Sequence, residues 1–389
     1  VQRLVRIGGR MYQEDSGSYF PVIPDQISVR LAEGVESWDD LVLKAERDGG
    51  RSVGLLASLV PLRSNRLGLV DLAVPEGSDL VPWCELVHRT GLVRYVEVAT
   101  RGEYLVVPND PRYPEQWALD NTGQTGGTPG ADMDARIAWN LTAGDPGVIV
   151  AILDSGTDVD HQDLAPNVWH NPGEIPGNGQ DDDGNGYVDD WEGWDFEYDN
   201  NDPRSSNSHG THVTGIVNAR GGNGIGIAGV AGGVGSAGVQ GMALGIGSSG
   251  PVASVMDDAI IYAADNGADV ITISSALGAT QAINDALAYA YNVKDVFIDC
   301  ASGNDSSAVR YPATRQEVVA VASTDHNDAR SWFSNFGPEI EVAAPGSNIL
   351  STAPGDLYLT DDGTSFAAPQ VAGVAGLVRS RNPGLPAPY

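Results

Sequence analysis

Lysine is nearly missing from this 389-residue chain: Lys44 and Lys294 are the two present, and every other basic residue is an arginine. Basic residues number 22 against 52 acidic ones, a formal charge of −30 with histidine neutral. That balance excludes a nucleic-acid binder, which needs a basic surface to meet phosphates. It favours solubility and the binding of cations. Cysteine is also scarce. Cys84 and Cys300 are too few to build a disulfide framework, and each is expected to serve as a small buried hydrophobe. No apolar run reaches the roughly 20 residues that cross a bilayer. No leader-like apolar block follows Val1, so any export signal is expected to lie outside this sequence.

What is present is enough for a real core. Hydrophobic residues make up 41% of the chain, and its length allows one large and one small domain. The charge is uneven: residues 1–110 carry net −4 and residues 111–389 net −26. Glycine is abundant, and the Gly-Ala-Val stretch 221–241 suits tight turns and close strand–helix packing.

Three short segments carry candidate chemistry. The run 147–153 is apolar and β-branched, reads as a buried parallel strand, and ends on Asp154-Ser155-Gly156. A carboxylate there stands at the strand's carboxyl end, where open α/β sheets place their sites, although an Asx turn would look the same. His209 and His212 fall three apart in Ser-His-Gly-Thr-His-Val. No glutamate follows in the zinc-protease pattern, so a base plus a packed second histidine is expected. Gly363-Thr364-Ser365-Phe366-Ala367-Ala368-Pro369 sets Ser365 at the mouth of a small-residue helix. A serine there is a cap or a nucleophile, since free N–H groups at that end favour developing negative charge.

Together, in the order Asp, His, Ser, these segments resemble the three catalytic blocks of the subtilases, the subtilisin-like serine proteases. The resemblance spans about residues 110–389. It implies an α/β fold, a mainly parallel sheet with helices on both faces, preceded by a small α+β propeptide domain. It also implies catalytic roles for Asp154, His209 and Ser365. Asn304, in Ala301-Ser302-Gly303-Asn304, matches the family's oxyanion-hole asparagine, whose amide can donate where an ionised aspartate cannot. His209 and Asn304 separate the chain from the sedolisins, which carry glutamate and aspartate at those places. The family pattern puts the substrate between Ser274, Ser275, Ala276 and Ala301, Ser302, Gly303, paired by β-addition. Ser-Ser-Ala replaces the family's Ser-Leu-Gly or Ser-Trp-Gly at the first of these. No acidic pocket base is evident, so a broad or apolar preference is expected.

The acidic excess has a focus: ten carboxylates lie between Asp181 and Asp202. Asp181-Asp182-Asp183-Gly184-Asn185-Gly186-Tyr187-Val188-Asp189-Asp190-Trp191-Glu192 satisfies the calcium-loop pattern D-x-[DN]-x-[DN]-G-x₅-E. Its expected ligands are Asp181, Asp183, Asn185, the Tyr187 carbonyl, Asp189 and Glu192. The resemblance implies a second calcium site at Asp163 and Asn223, completed by Gln116.

Residues 1–107 are expected to form the propeptide domain, with a flexible start, and 108–389 the catalytic domain. Strands are expected over 27–31, 67–74 and 93–99 and helices over 38–47 and 79–89, two helices against an antiparallel sheet. The tail 104–107 would block the cleft before cleavage. The chain ends 24 residues after Ser365, sooner than the family pattern, so a truncated C-terminus is expected. The reading is a secreted, monomeric, calcium-stabilised serine endopeptidase acting on proteins or peptides and inhibited by its own propeptide, with no nucleic-acid or membrane partner. The alternative is a catalytically inactive calcium-binding scaffold on the same fold.

Overall fold

A computed structural model describes residues 3–7, 10–15, 18–47, 53–64, 67–100 and 106–387, with side chains from Val22 onward except Pro24 and Asp25. The chain divides into two compact units, Val1–Tyr104 and Leu105–Tyr389.

The first unit is built on the long strand Ser18–Leu31, which pairs antiparallel with Leu69–Ala73 and Val93–Thr100. Alternate residues Ile27, Val29 and Leu31 face a core and are buried, as a two-residue period requires. The helix Trp38–Arg47 covers that core with Trp38, Leu41 and Ala45. A second helix, Leu80–His88, begins where Asp79 accepts from the Val81 N–H at 3.1 Å. The strands Arg3–Ile7, Arg10–Asp15 and Val60–Ser64 extend the sheet beyond the three expected from sequence.

The second unit holds a seven-stranded sheet in which every pairing is parallel. Across it run Ile340–Pro345, Val319–Thr324, Phe297–Ala301, Val270–Ile273, Ile149–Asp154, Gln240–Gly245 and Gly193–Asp195. The run beginning at Ile149 is apolar throughout because both faces are covered. Ala151 and Leu153 join one core with the helices Met256–Asp265 and Gln281–Asn292. Val150 and Ile152 pack the other way, against Val213 and Val217 of the helix Ser208–Asn218 and Phe366 and Ala372 of the helix Thr364–Arg381. The expected α/β architecture, a largely parallel sheet between two helical layers, is therefore present.

Close approach at one point decides how the site assembles. A Cβ on Gly210 would lie 2.1 Å from the Gly156 carbonyl oxygen and 3.2 Å from Asp154 Oδ1. A backbone oxygen cannot give way by that much, so the residue after His209 has no side chain. The helix carrying the two histidines thereby rests directly on the end of the strand Ile149–Asp154.

Candidate active site

Three neighbouring strand ends make the floor of the site. Leu153, Ile273 and Cys300 stand side by side in the parallel ladder, so the residues following each emerge together. These are Asp154, Ser274–Ala276 and Ser302–Asn304.

Asp154 is 5% exposed. Its Oδ1 accepts from the Ser155 N–H at 2.7 Å and meets His209 Nδ1 at 2.7 Å. Its Oδ2 is buried without a partner. Asn207 caps the helix Ser208–Asn218 by accepting from the His209 N–H at 3.0 Å, which fixes His209 in the first turn. A carboxylate only accepts, so the imidazole carries its proton on Nδ1 and leaves Nε2 with a lone pair. Burial alone would lower the His209 pKa. The charge of Asp154, its hydrogen bond and the charge of Asp361 outweigh burial, and the net shift is upward from 6.5. His212 behaves oppositely. It is 1% exposed, meets the Ile349 carbonyl through Nε2 at 3.1 Å, and burial pulls its pKa down to about 4. It is the packed second histidine.

Ser365 lies in the first turn of the helix Thr364–Arg381, where N–H groups lack intrahelical acceptors. Its hydroxyl donates to the Ser274 carbonyl at 3.0 Å, and Ser274 Oγ donates back to the Ser365 carbonyl at 2.8 Å. Ser365, His209, Asp154 and Asn304 line one cavity of about 500 Å³. The Ser365 hydroxyl bonds Ser274 rather than His209, whose Nε2 is free of protein partners among the described residues. Asn304 is oriented by Thr364: its Oδ1 accepts from the Thr364 N–H at 2.9 Å and Oγ1 at 2.8 Å. The amide nitrogen is thus the end left for a ligand. Thr364, fully buried, was not singled out from sequence. Its place one residue before Ser365 was the available signal.

Residues 145–388 match the model of the subtilase family. This chain is a subtilase. It is 39% identical to thermitase of Thermoactinomyces vulgaris over 252 residues, 64% of this chain and 80% of that one. It is 37% identical to the halolysin-like extracellular serine protease Nep of Natrialba magadii over 297 residues, 75% of this chain but 49% of that protein, so it spans about half of Nep's length. Among solved structures, one titled as proteases from Pseudoalteromonas arctica PAMC 21717 aligns with a TM-score of 0.57 at 29% identity, over 72% of this chain and 89% of that chain.

In this subtilase, Ser274, Ser275, Ala276, Ala301 and Gly303, of the six residues expected to border the substrate, line the cavity, and Ser302 does not. Ser302 is fully buried, and its carbonyl accepts from the Arg310 N–H at 3.0 Å and Asn335 Nδ2 at 3.1 Å. It lies just past the strand Phe297–Ala301, where these two bonds hold its backbone inside the protein. Asp305 and Arg310 also line the cavity and were missed.

The acidic segment is organised differently from a simple calcium loop. Glu174, Asp183 and Asp190 each offer an oxygen within 4.8 Å of the others, a group that could hold a metal ion. Glu174 and Asp190 are buried, and Glu174 Oε2 has no partner. Asn171 Nδ2 bridges Asp183 at 3.0 Å and Asp190 at 2.8 Å, and Asn185 Nδ2 bridges the same two at 3.2 and 2.9 Å. Three expected ligands are committed elsewhere. Glu192 pairs with Arg204 at 2.8 Å. Asp189 accepts from the Asn178 and Gly179 N–H groups. Asp181 accepts from the N–H groups of Gly184, Asn185 and Gly186, which shapes the turn. Tyr187 packs its ring on Trp194 and Tyr262. Glu174 precedes the motif, which is why the pattern could not include it.

At the second expected site, Asp163 is fully buried and accepts from Asn223 Nδ2 at 2.8 Å and the Ile227 N–H at 2.9 Å. Gln116 does not complete it, because both ends of its amide bond the Ala228 backbone at 2.8 Å. Asp110 does come close: it is 2% exposed, accepts from the Gly222 and Asn223 N–H groups, and acts electrostatically on Asp163. Burial raises the pKa of both carboxylates, and the Asp110 charge raises Asp163 further.

The two histidines should separate in a proton NMR titration: His209 protonating above pH 6.5 and His212 near pH 4. Between those values unfolded His212 binds more protons than the folded form, so its contribution lowers stability as pH falls from about 6.5 towards 4. Overlapping titrations near 6.5 would contradict the assignment.

Proposed function

We propose that the chain is a serine endopeptidase in which Asp154, His209 and Ser365 form the triad and Asn304 serves the oxyanion. His209 Nε2 takes the Ser365 proton as Oγ attacks a peptide carbonyl. Asp154 holds the tautomer and stabilises the imidazolium. The carbonyl oxygen, now negative, is met by Asn304 Nδ2 and the Ser365 N–H; one such donor is worth about 100- to 1,000-fold in turnover. His209 returns the proton to the leaving amine, and water then hydrolyses the acyl-enzyme. The observation that carries this reading is the 2.7 Å contact of His209 Nδ1 with a buried Asp154, inside the cavity that Ser365 shares. The Ser365–Ser274 bond is compatible with it, because catalytic hydrogen bonds are often loose before substrate binds.

Three further parts complete the proposal. Residues 1–107 act as a propeptide, supported by a core of their own that lies outside the family match. In the proposed inhibitory tail, Tyr104 and Leu105 lie outside the described residues. Calcium binds at Glu174–Asp183–Asp190 and at Asp110–Asp163–Asn223, where hard oxygen donors suit it and burying carboxylates together is costly. Its role is structural, with no part in the chemistry. The protein is secreted, supported by the extracellular description of its Natrialba relative.

Ser365→Ala should abolish casein hydrolysis while the protein remains folded. Mass measurement over time should show wild type losing about the first 105 to 110 residues and the variant staying intact. Wild-type activity in the variant would refute the triad, and an uncut but active wild type would refute the propeptide.

Chelation should lower the Tm, and added calcium should restore it; occupancy at about 100 times Kd is worth roughly 2.7 kcal/mol. Glu174→Gln should shrink the calcium response. An unchanged Tm in excess chelator would remove calcium from the account.

A further inference from the structure

The Ser365 cavity continues into a second one of about 490 Å³, and Pro251, Ala276 and Arg310 line both. Arg310 is the one Lys or Arg in the wall of the first and the one charged residue in the wall of the second. Its backbone is pinned between the segments that border the cleft. The Arg310 N–H donates to the Ser302 carbonyl at 3.0 Å, and the neighbouring Tyr311 carbonyl accepts from the Leu277 N–H at 3.0 Å. Its stem lies against Gly303: a Cβ there would stand 3.3 Å from Arg310 Cδ. Gly303 immediately precedes Asn304. With Asn304 holding the oxyanion as proposed above, the side chain of the residue whose carbonyl is attacked lies beside the space that Arg310 walls.

The charge of Arg310 is only partly used. Its Nε pairs with Asp305 Oδ2 at 2.7 Å, with the two side chains 54% and 48% exposed. A pair so open to water is weak and easily rearranged. Guanidinium has five N–H donors in a planar fork, and the remaining ones suit a second carboxylate. Arg204 in the same chain does this, pairing with Asp160, Glu192 and Asp202 at once. A substrate ammonium approaching Asp305 would instead have to lie beside the guanidinium already bonded to it. The net −30 of the chain opposes anionic substrates at long range. That field is damped beyond about 8 Å at physiological ionic strength, whereas a contact inside the cleft is screened less.

We propose that Arg310 gives this enzyme a preference for a glutamate or aspartate side chain at the residue donating the scissile carbonyl. The proposal rests on the protease reading above and departs from the broad or apolar preference expected from sequence.

The test compares kcat/KM of the full chain, incubated to constant activity at ~0.15 M salt, on matched tetrapeptide p-nitroanilides ending in Glu, Gln, Phe or Lys. The Glu/Gln ratio should be about tenfold in wild type, the scale of one charged hydrogen bond. It should fall to one or below in Arg310→Gln, keep part of its value in Arg310→Lys, and rise in Asp305→Asn. Because the ratio is internal to each preparation, partial misfolding of a variant leaves it readable. A wild-type ratio of one or less, a faster Lys peptide, or an unchanged ratio in Arg310→Gln would overturn the proposal. Cleavage of Gln and Phe peptides with none of Glu would refute it alone. Failure to cleave any of the four would refute the protease reading beneath it.

Discussion

Asp154 holds a carboxylate at the end of an interior parallel strand, where water barely reaches it. One oxygen is shared between the Ser155 N–H and the His209 ring, and the other has no partner. A buried charge in that position needs a proton donor of fixed place, and the imidazole is that donor. The surrounding construction serves the contact. Asn207 sets the first helical turn, Gly210 lets the helix settle against the strand end, and alternate residues of Ile149–Asp154 anchor both helical layers. Moving any one would lengthen a 2.7 Å hydrogen bond that orients the whole site.

Much of this was legible because it is local. The apolar, β-branched run before Asp154 reads as a strand covered on both faces, and it is Ile149–Asp154. The helix Trp38–Arg47 followed from its spacing, and the helix expected over 79–89 is Leu80–His88, with Asp79 just outside it as the cap. Long-range pairings were not legible. Asp110 meets Asn223 across more than a hundred residues, and Arg310 reaches the cleft because Ser302 and Leu277 hold its segment. The calcium-loop pattern gives one part of the acidic cluster, Asp183, for a related reason. It assumes a self-contained loop, whereas Asp190 is held by Tyr262 from a distant helix at 2.5 Å, and Glu192 is drawn off by Arg204.

The strong acidity divides accordingly into parts with different physical roles. Some carboxylates shape turns by accepting backbone N–H groups, as Asp181 and Asp189 do. Others are buried together and are costly without a cation, as at Glu174 and Asp190 or Asp110 and Asp163. Against that background a single arginine in the cleft wall is conspicuous, and its partner Asp305 is too exposed to neutralise it fully.

The central claim is that the shared cavity activates one hydroxyl, that of Ser365, through His209. Stoichiometric labelling with a serine-reactive phosphonofluoridate, followed by peptide mapping, measures this directly. The account predicts one label per chain, on Ser365, with incorporation lost when His209 is replaced by alanine. Label spread over other serines, or incorporation indifferent to His209, would contradict it.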